Sequence, residues 1–118
     1  MEKNNPRIKD ILSKLQSANG GDNTINICIP KFEDNVLRLR WENGFFIKCQ
    51  LDEYGNVVLT ANSEGLVSLA RHLLTLAQNN VPEYTHLHLD EYDSLESGSN
   101  ELIIVKRQDP IYWNNKDS

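Results

Sequence analysis

His86, His88 and Asp90 are the residues of this chain whose types and spacing come nearest to metal chemistry. Successive side chains of an extended segment point to opposite faces. The alternation His86-Leu87-His88-Leu89-Asp90 therefore puts both imidazoles and the carboxylate on one side and the leucines on the other. Such a face can hold a divalent ion if a further donor approaches, and His72 is the remaining histidine. His72, however, falls on a different helix face from the apolar stripe expected to pack. The reading is accordingly no metal and no cofactor. A small metal-dependent enzyme, or a binding module for some other protein, built on His86, His88 and Asp90 is the alternative, and a polar interaction surface is preferred.

A second cluster follows directly. No Lys or Arg lies between Arg71 and Lys106, whereas Glu83, Asp90, Glu91, Asp93, Glu96 and Glu101 all do. Acid/base catalysis by paired carboxylates needs two of them across a cleft, one with a raised pKa. Here they crowd a loop with Ser94, Ser97, Gly98 and Ser99, a composition that favours solvation, so no catalytic residue is expected. An acidic patch steers a basic partner and sets specificity, while aromatic anchors carry more of the affinity. The expected contacts are Tyr84, His86, His88 and Asp90 on the strand, with Glu91, Tyr92, Asp93 and Glu96 in the loop. Cys28 and Cys49 are predicted on opposite faces of the sheet, which excludes a disulfide between them, and no neighbouring base activates either thiol.

These residues depend on a strand, helix, strand, loop, strand unit over residues 57–105. Val57 to Ala61 reads as a strand, and Asn62-Ser63-Glu64 opens a helix over about 62–78. Leu66, Leu69, Ala70, Leu73, Leu76 and Ala77 share one helical face, and Asn79, Asn80 and Pro82 stop the run. Upstream, residues 24–29 and 36–41 alternate as strands, with Leu37, Leu39 and Trp41 inward. A three-residue loop Glu42-Asn43-Gly44 pairs Trp41 with Phe45, and a loop Glu53-Tyr54-Gly55 pairs Leu51 with Val57, Cys49 with Leu59 and Ile47 with Ala61. In both, glycine takes the left-handed position. The fold class is α+β: an antiparallel meander of about four strands, extended by two more near 84–90 and 101–107. The central helix packs on the sheet. The continuous run Leu102 to Val105 suggests a strand covered on both sides. A helix over 6–17, capped by Asn5 with Pro6 in its first turn, presents Ile8, Ile11, Leu12 and Leu15.

The blocks 61–66, 69–74, 86–91 and 94–104, in that order, resemble the Imm32 immunity proteins, which accompany bacterial polymorphic toxins. Leu39-Arg40-Trp41-Glu42 and Tyr54-Gly55-Asn56-Val57-Val58 fit the same pattern, so the resemblance covers roughly residues 24–107. It implies an antitoxin that binds a cognate toxin domain, and it brings no catalytic residues. By analogy, a nuclease with a basic cleft suits an acidic inhibitor.

Length and charge agree with a binder. A chain of 118 residues makes one domain with a single core. Residues 1–23 form helix and linker, 24–107 the core and 108–118 a polar tail. A net charge of −5 argues against nucleic acid as partner, since affinity for phosphates comes from Lys and Arg. There is no apolar run long enough to span a membrane and no hydrophobic segment of a secretion signal at the start, so a cytoplasmic location is expected.

Overall fold

The computed structural model describes residues 8–16 and 21–108. Two glycines in the left-handed region organise its first half, Gly44 at φ 82° and Gly55 at φ 84°. The Gly55 turn joins β1 (Ile47–Leu51) to β2 (Val57–Ala61). Leu51 pairs with Val57, Cys49 with Leu59 and Ile47 with Ala61, the register expected from the alternation and the three-residue loop. The carboxylate of Asp52 accepts the Tyr54 and Asn56 amides, both at 2.8 Å, which ties the turn shut. The Asn56 amide holds the Asp52 carboxyl below the usual carboxylate range.

Asn62 starts helix α2 (Ser63–Leu76) and fixes the preceding turn as well. Its Oδ1 accepts the Gly65 amide at 2.8 Å and the Phe46 amide at 3.0 Å, and its Nδ2 donates to the Gly44 carbonyl. Gly65 lies where the helix crosses this turn. A Cβ there would overlap the Phe46 carbonyl oxygen and stand 2.9 Å from Ile47 Cγ1.

The face that α2 turns inward departs from the apolar stripe. Gly65, Val67, Ser68, Arg71, His72, Thr75 and Leu76 are buried, while Leu66, Leu73 and Leu74 are exposed. The cause lies in residues 24–42. Their two expected strands are not formed: the described part of this segment carries only an isolated bridge, Glu33 to Val36. Side chains on or just beyond α2 take the place of a neighbouring strand. Ser68 Oγ accepts the Glu42 amide at 2.7 Å, and Arg71 donates to the Cys28 and Arg40 carbonyls. Gln78 accepts the Phe32 amide and donates to Pro30, while Asn80 donates to Phe32. The four-stranded meander is thus replaced by one hairpin and an extended segment held by polar side chains.

The last two strands do not extend that hairpin either. β3 (His86–Leu89) and β4 (Leu102–Val105) form a second two-stranded antiparallel sheet. Loop 90–101 joins the sheets by bonding to the free edge of β1: Glu96 donates to Ile47, Asn100 to Cys49, and Ser99 Oγ accepts from Cys49. One core cluster gathers Ile47, Cys49, Leu89 and Leu95 against Trp41 and Phe45; the other gathers Phe32, Leu76, Val81 and Leu87 against Leu37 and Leu39. β4 is covered on one side alone, since Ile103 and Val105 are 53% and 47% exposed. Helix α1 (Ile8–Gln16) contacts α2 and buries Ile11. The expected cap at Asn5 and Pro6 and the tail from Asp109 lie outside the described residues. The architecture is α+β, with two helices and two small antiparallel sheets.

Candidate interaction surface

β3 alternates as its sequence demands: Leu87 and Leu89 are buried, His86 and His88 exposed. Across the pair His86 faces Val105 and His88 faces Ile103, so the outer face sets two imidazoles beside two aliphatic side chains. Continuing the register by one step brings Asp90 opposite Glu101. His88 Nε2 lies 3.6 Å from Glu101 Oε1 and 4.0 Å from Asp90 Oδ2. These three donors form a compact group that could hold a cation. The trio expected from spacing is therefore divided. His86 turns its Nδ1 towards the Tyr84 carbonyl at 3.4 Å, and Glu101 takes its place beside His88 and Asp90.

His72 is fully buried, which corrects the expectation that its helix face lies away from the packed one. Its ring stands edge-on to Trp41, and neither nitrogen has a hydrogen-bond partner. Burial, with Arg71 adding a smaller like-charge effect, lowers its pKa to about 4.

The acidic loop is pinned rather than loosely solvated. Asp90 Oδ1 accepts the Tyr92 amide at 2.9 Å, and Glu91 Oε1 accepts the Gly98 amide at 2.7 Å. Asp93 Oδ1 accepts the Asp90 amide and the Ser94 hydroxyl, and the hydroxyl bond holds the Asp93 carboxyl below its ordinary range. Leu95 anchors the loop in the core. Tyr92 projects outward, 89% exposed, with Glu96 also exposed.

Tyr84 borders the same face in a left-handed conformation at φ 73°, a state that costs a bulky residue about 1–3 kcal/mol. Its amide donates to the Lys106 carbonyl at 2.9 Å, and the Arg107 guanidinium lies 4.6 Å from its ring centroid.

The cations flanking the acidic stretch are used elsewhere. Arg71 is buried and pairs with Glu42. Lys106 is buried too, and its Nζ donates to the Gln78 and Val81 carbonyls just past the end of α2, where a positive charge is favoured. Arg107 pairs with Glu83. Among the described residues, no Lys or Arg ion pair reaches Asp90, Glu91, Asp93, Glu96 or Glu101. The result is a fixed negative rim beside a partly apolar face.

Residues 56–108, slightly under half of the chain, match the family model of Imm32, immunity protein 32. Over this span the chain is similar to the Imm32 family. Comparison with curated proteins and with solved structures gives no match. The matched span holds all of β2, then α2, β3, the acidic loop and β4, so the surface described above lies inside it. α1, the segment 24–42 and β1 lie outside. An immunity function is what the family supports. Among the described residues, no helix is long and apolar enough to cross a membrane.

Sequence reasoning missed Ile103, Val105 and Glu101 as members of this surface. The signal was present as parity: once His88 is set opposite Ile103, residues 101, 103 and 105 must share its face. Neither Cys28 nor Cys49 is in a disulfide.

Proposed function

We propose that this chain, similar over residues 56–108 to the Imm32 immunity proteins, binds a cognate toxin domain and neutralises it without chemistry of its own, by covering the toxin's active site or an adjacent surface. The docking face is the outer side of β3 and β4 with the loop beside it. Tyr84, His86, His88 and Asp90 contribute from the strand side, and Glu91, Tyr92, Asp93 and Glu96 from the loop. Ile103 and Val105 join them at its apolar centre.

The observation that carries this reading is the coincidence of the family match with a hydrogen-bonded acidic rim, reached by no Lys or Arg ion pair among the described residues, around exposed apolar and aromatic groups. Interfaces draw affinity from desolvated aromatic anchors and association rate from charge complementarity. Tyr92 has the exposure of such an anchor. The five carboxylates from Asp90 to Glu101 favour a basic partner surface, and a nuclease cleft is a fitting class. Because the loop bonds directly to β1, little ordering entropy is lost when it docks.

The test is calorimetric titration of the chain with the toxin domain encoded beside it, paired with a toxin-activity assay. Stoichiometric binding with loss of toxin activity supports the proposal. Binding that leaves the toxin active removes the occlusion mechanism, and absence of binding removes the proposal.

A further inference from the structure

The geometry points to a divalent transition-metal site formed by His88 Nε2, Asp90 Oδ2 and Glu101 Oε1 on the outer face of the β3–β4 sheet. A tetrahedral ion with bonds of about 2.0–2.1 Å to nitrogen and oxygen holds neighbouring donors about 3.3 Å apart. His88 Nε2 stands 3.6 Å from Glu101 Oε1 and 4.0 Å from Asp90 Oδ2, so small side-chain movements close the set around one ion. The backbone supplies the rest of the arrangement. His88 and Asp90 share a face two residues apart, and the ladder brings Glu101 opposite Asp90.

Two further observations point the same way. Asp90 and Glu101 are like charges directly opposite one another, an arrangement that destabilises a strand pair unless a cation intervenes. Among the described residues no Lys or Arg ion pair reaches either, and His88 carries charge only when protonated. In addition, the Tyr92 amide occupies Asp90 Oδ1, which orients the carboxylate and leaves Oδ2 for a ligand, as outer hydrogen bonds do at metal centres. One imidazole with two carboxylates suits zinc or cobalt better than calcium, which needs six or more oxygen donors. Three protein donors leave a position for water on the solvent side, where Glu101 is exposed. Bound there, the ion would join the end of β3 to the start of β4 and clamp the two ends of the acidic loop.

The site is tested on the chain alone, free of purification tag and stripped with a chelator, so its failure leaves the toxin-binding proposal untouched. Zinc is titrated by calorimetry and cobalt by its visible absorption. The expected result is one ion per chain, tetrahedral cobalt bands, and a higher unfolding midpoint with zinc. His88→Ala and Glu101→Gln each weaken binding by more than about tenfold, while His86→Ala leaves it unchanged. Calcium does not compete. Absence of saturable binding overturns the site, as does binding that survives His88→Ala or is lost in His86→Ala.

Discussion

The imidazole of His72 meets the indole of Trp41 edge-on, with ring centroids 4.2 Å apart, and both ring nitrogens are sealed from solvent without a hydrogen bond. A neutral ring is tolerated there, whereas an imidazolium would be a buried charge facing Arg71. The folded pKa of about 4 lies below the ordinary histidine value of 6.5, so this contribution to stability is fully present above pH 6.5. It is lost as pH falls towards 4. Denaturant unfolding is expected to show a loss of about 2 kcal/mol between pH 7 and pH 5 from this group. His72→Leu removes that part of the pH dependence; an unchanged slope in this variant would show that His72 is not its source.

Gly65 is required for space, because its backbone conformation is ordinary for a helix. The Phe46 carbonyl and the Ile47 side chain leave no room for a methyl group. Gly65→Ala is expected to cost about 1–3 kcal/mol, although alanine is the better helix former. Asn62→Ala should lose about 1–2 kcal/mol from the cap, and more through the freed Phe46 amide and Gly44 carbonyl. Thermal unfolding of the two variants measures both, and a Gly65→Ala chain as stable as the parent would contradict the close approach.

Arg71 and Glu42 form an ion pair inside the molecule, and Arg71 also holds the Cys28 and Arg40 carbonyls. Arg71→Met strands a mostly buried carboxylate, with an expected loss of about 3–5 kcal/mol. Adding Glu42→Gln recovers part of it. Chemical denaturation of the single and double variants gives the coupling, and strict additivity would show that the pair does not act as a unit.

The hairpin of β1 and β2 was legible because two constraints agreed. Alternation set Ile47 and Cys49 inward, and Gly55 could occupy the left-handed end of one loop length alone. The start of α2 was equally clear from Asn62. Its inward face was not, because counting apolar positions ignores backbone demand. The segment 28–42 forms no strand ladder and needs Ser68 and Arg71 turned towards it, and that rotation leaves Leu66 and Leu73 outside. A similar limit applied to β4, where an apolar run says nothing of which side is covered. His88 and Asp90 were rightly placed on one face, but their neighbour Glu101 follows from a strand pairing that no local pattern encodes.

Tyr92 and Glu96 allow the proposed docking surface to be tested without disturbing the fold. Tyr92 is 89% exposed, and the Glu96 side chain is exposed while its amide is what ties the loop to Ile47. Asp90, Glu91 and Asp93 are less suitable, because their carboxylates accept loop amides. The most direct measurement is calorimetric titration of the cognate toxin domain with the parent chain and the Tyr92→Ala/Glu96→Lys variant, at low and at moderate salt. The variant is expected to unfold at the parent temperature and bind at least about thirtyfold more weakly, the loss that follows from removing a 2 kcal/mol anchor. Its affinity is also expected to depend less on salt. A variant that binds and protects as well as the parent would contradict the assignment of this face.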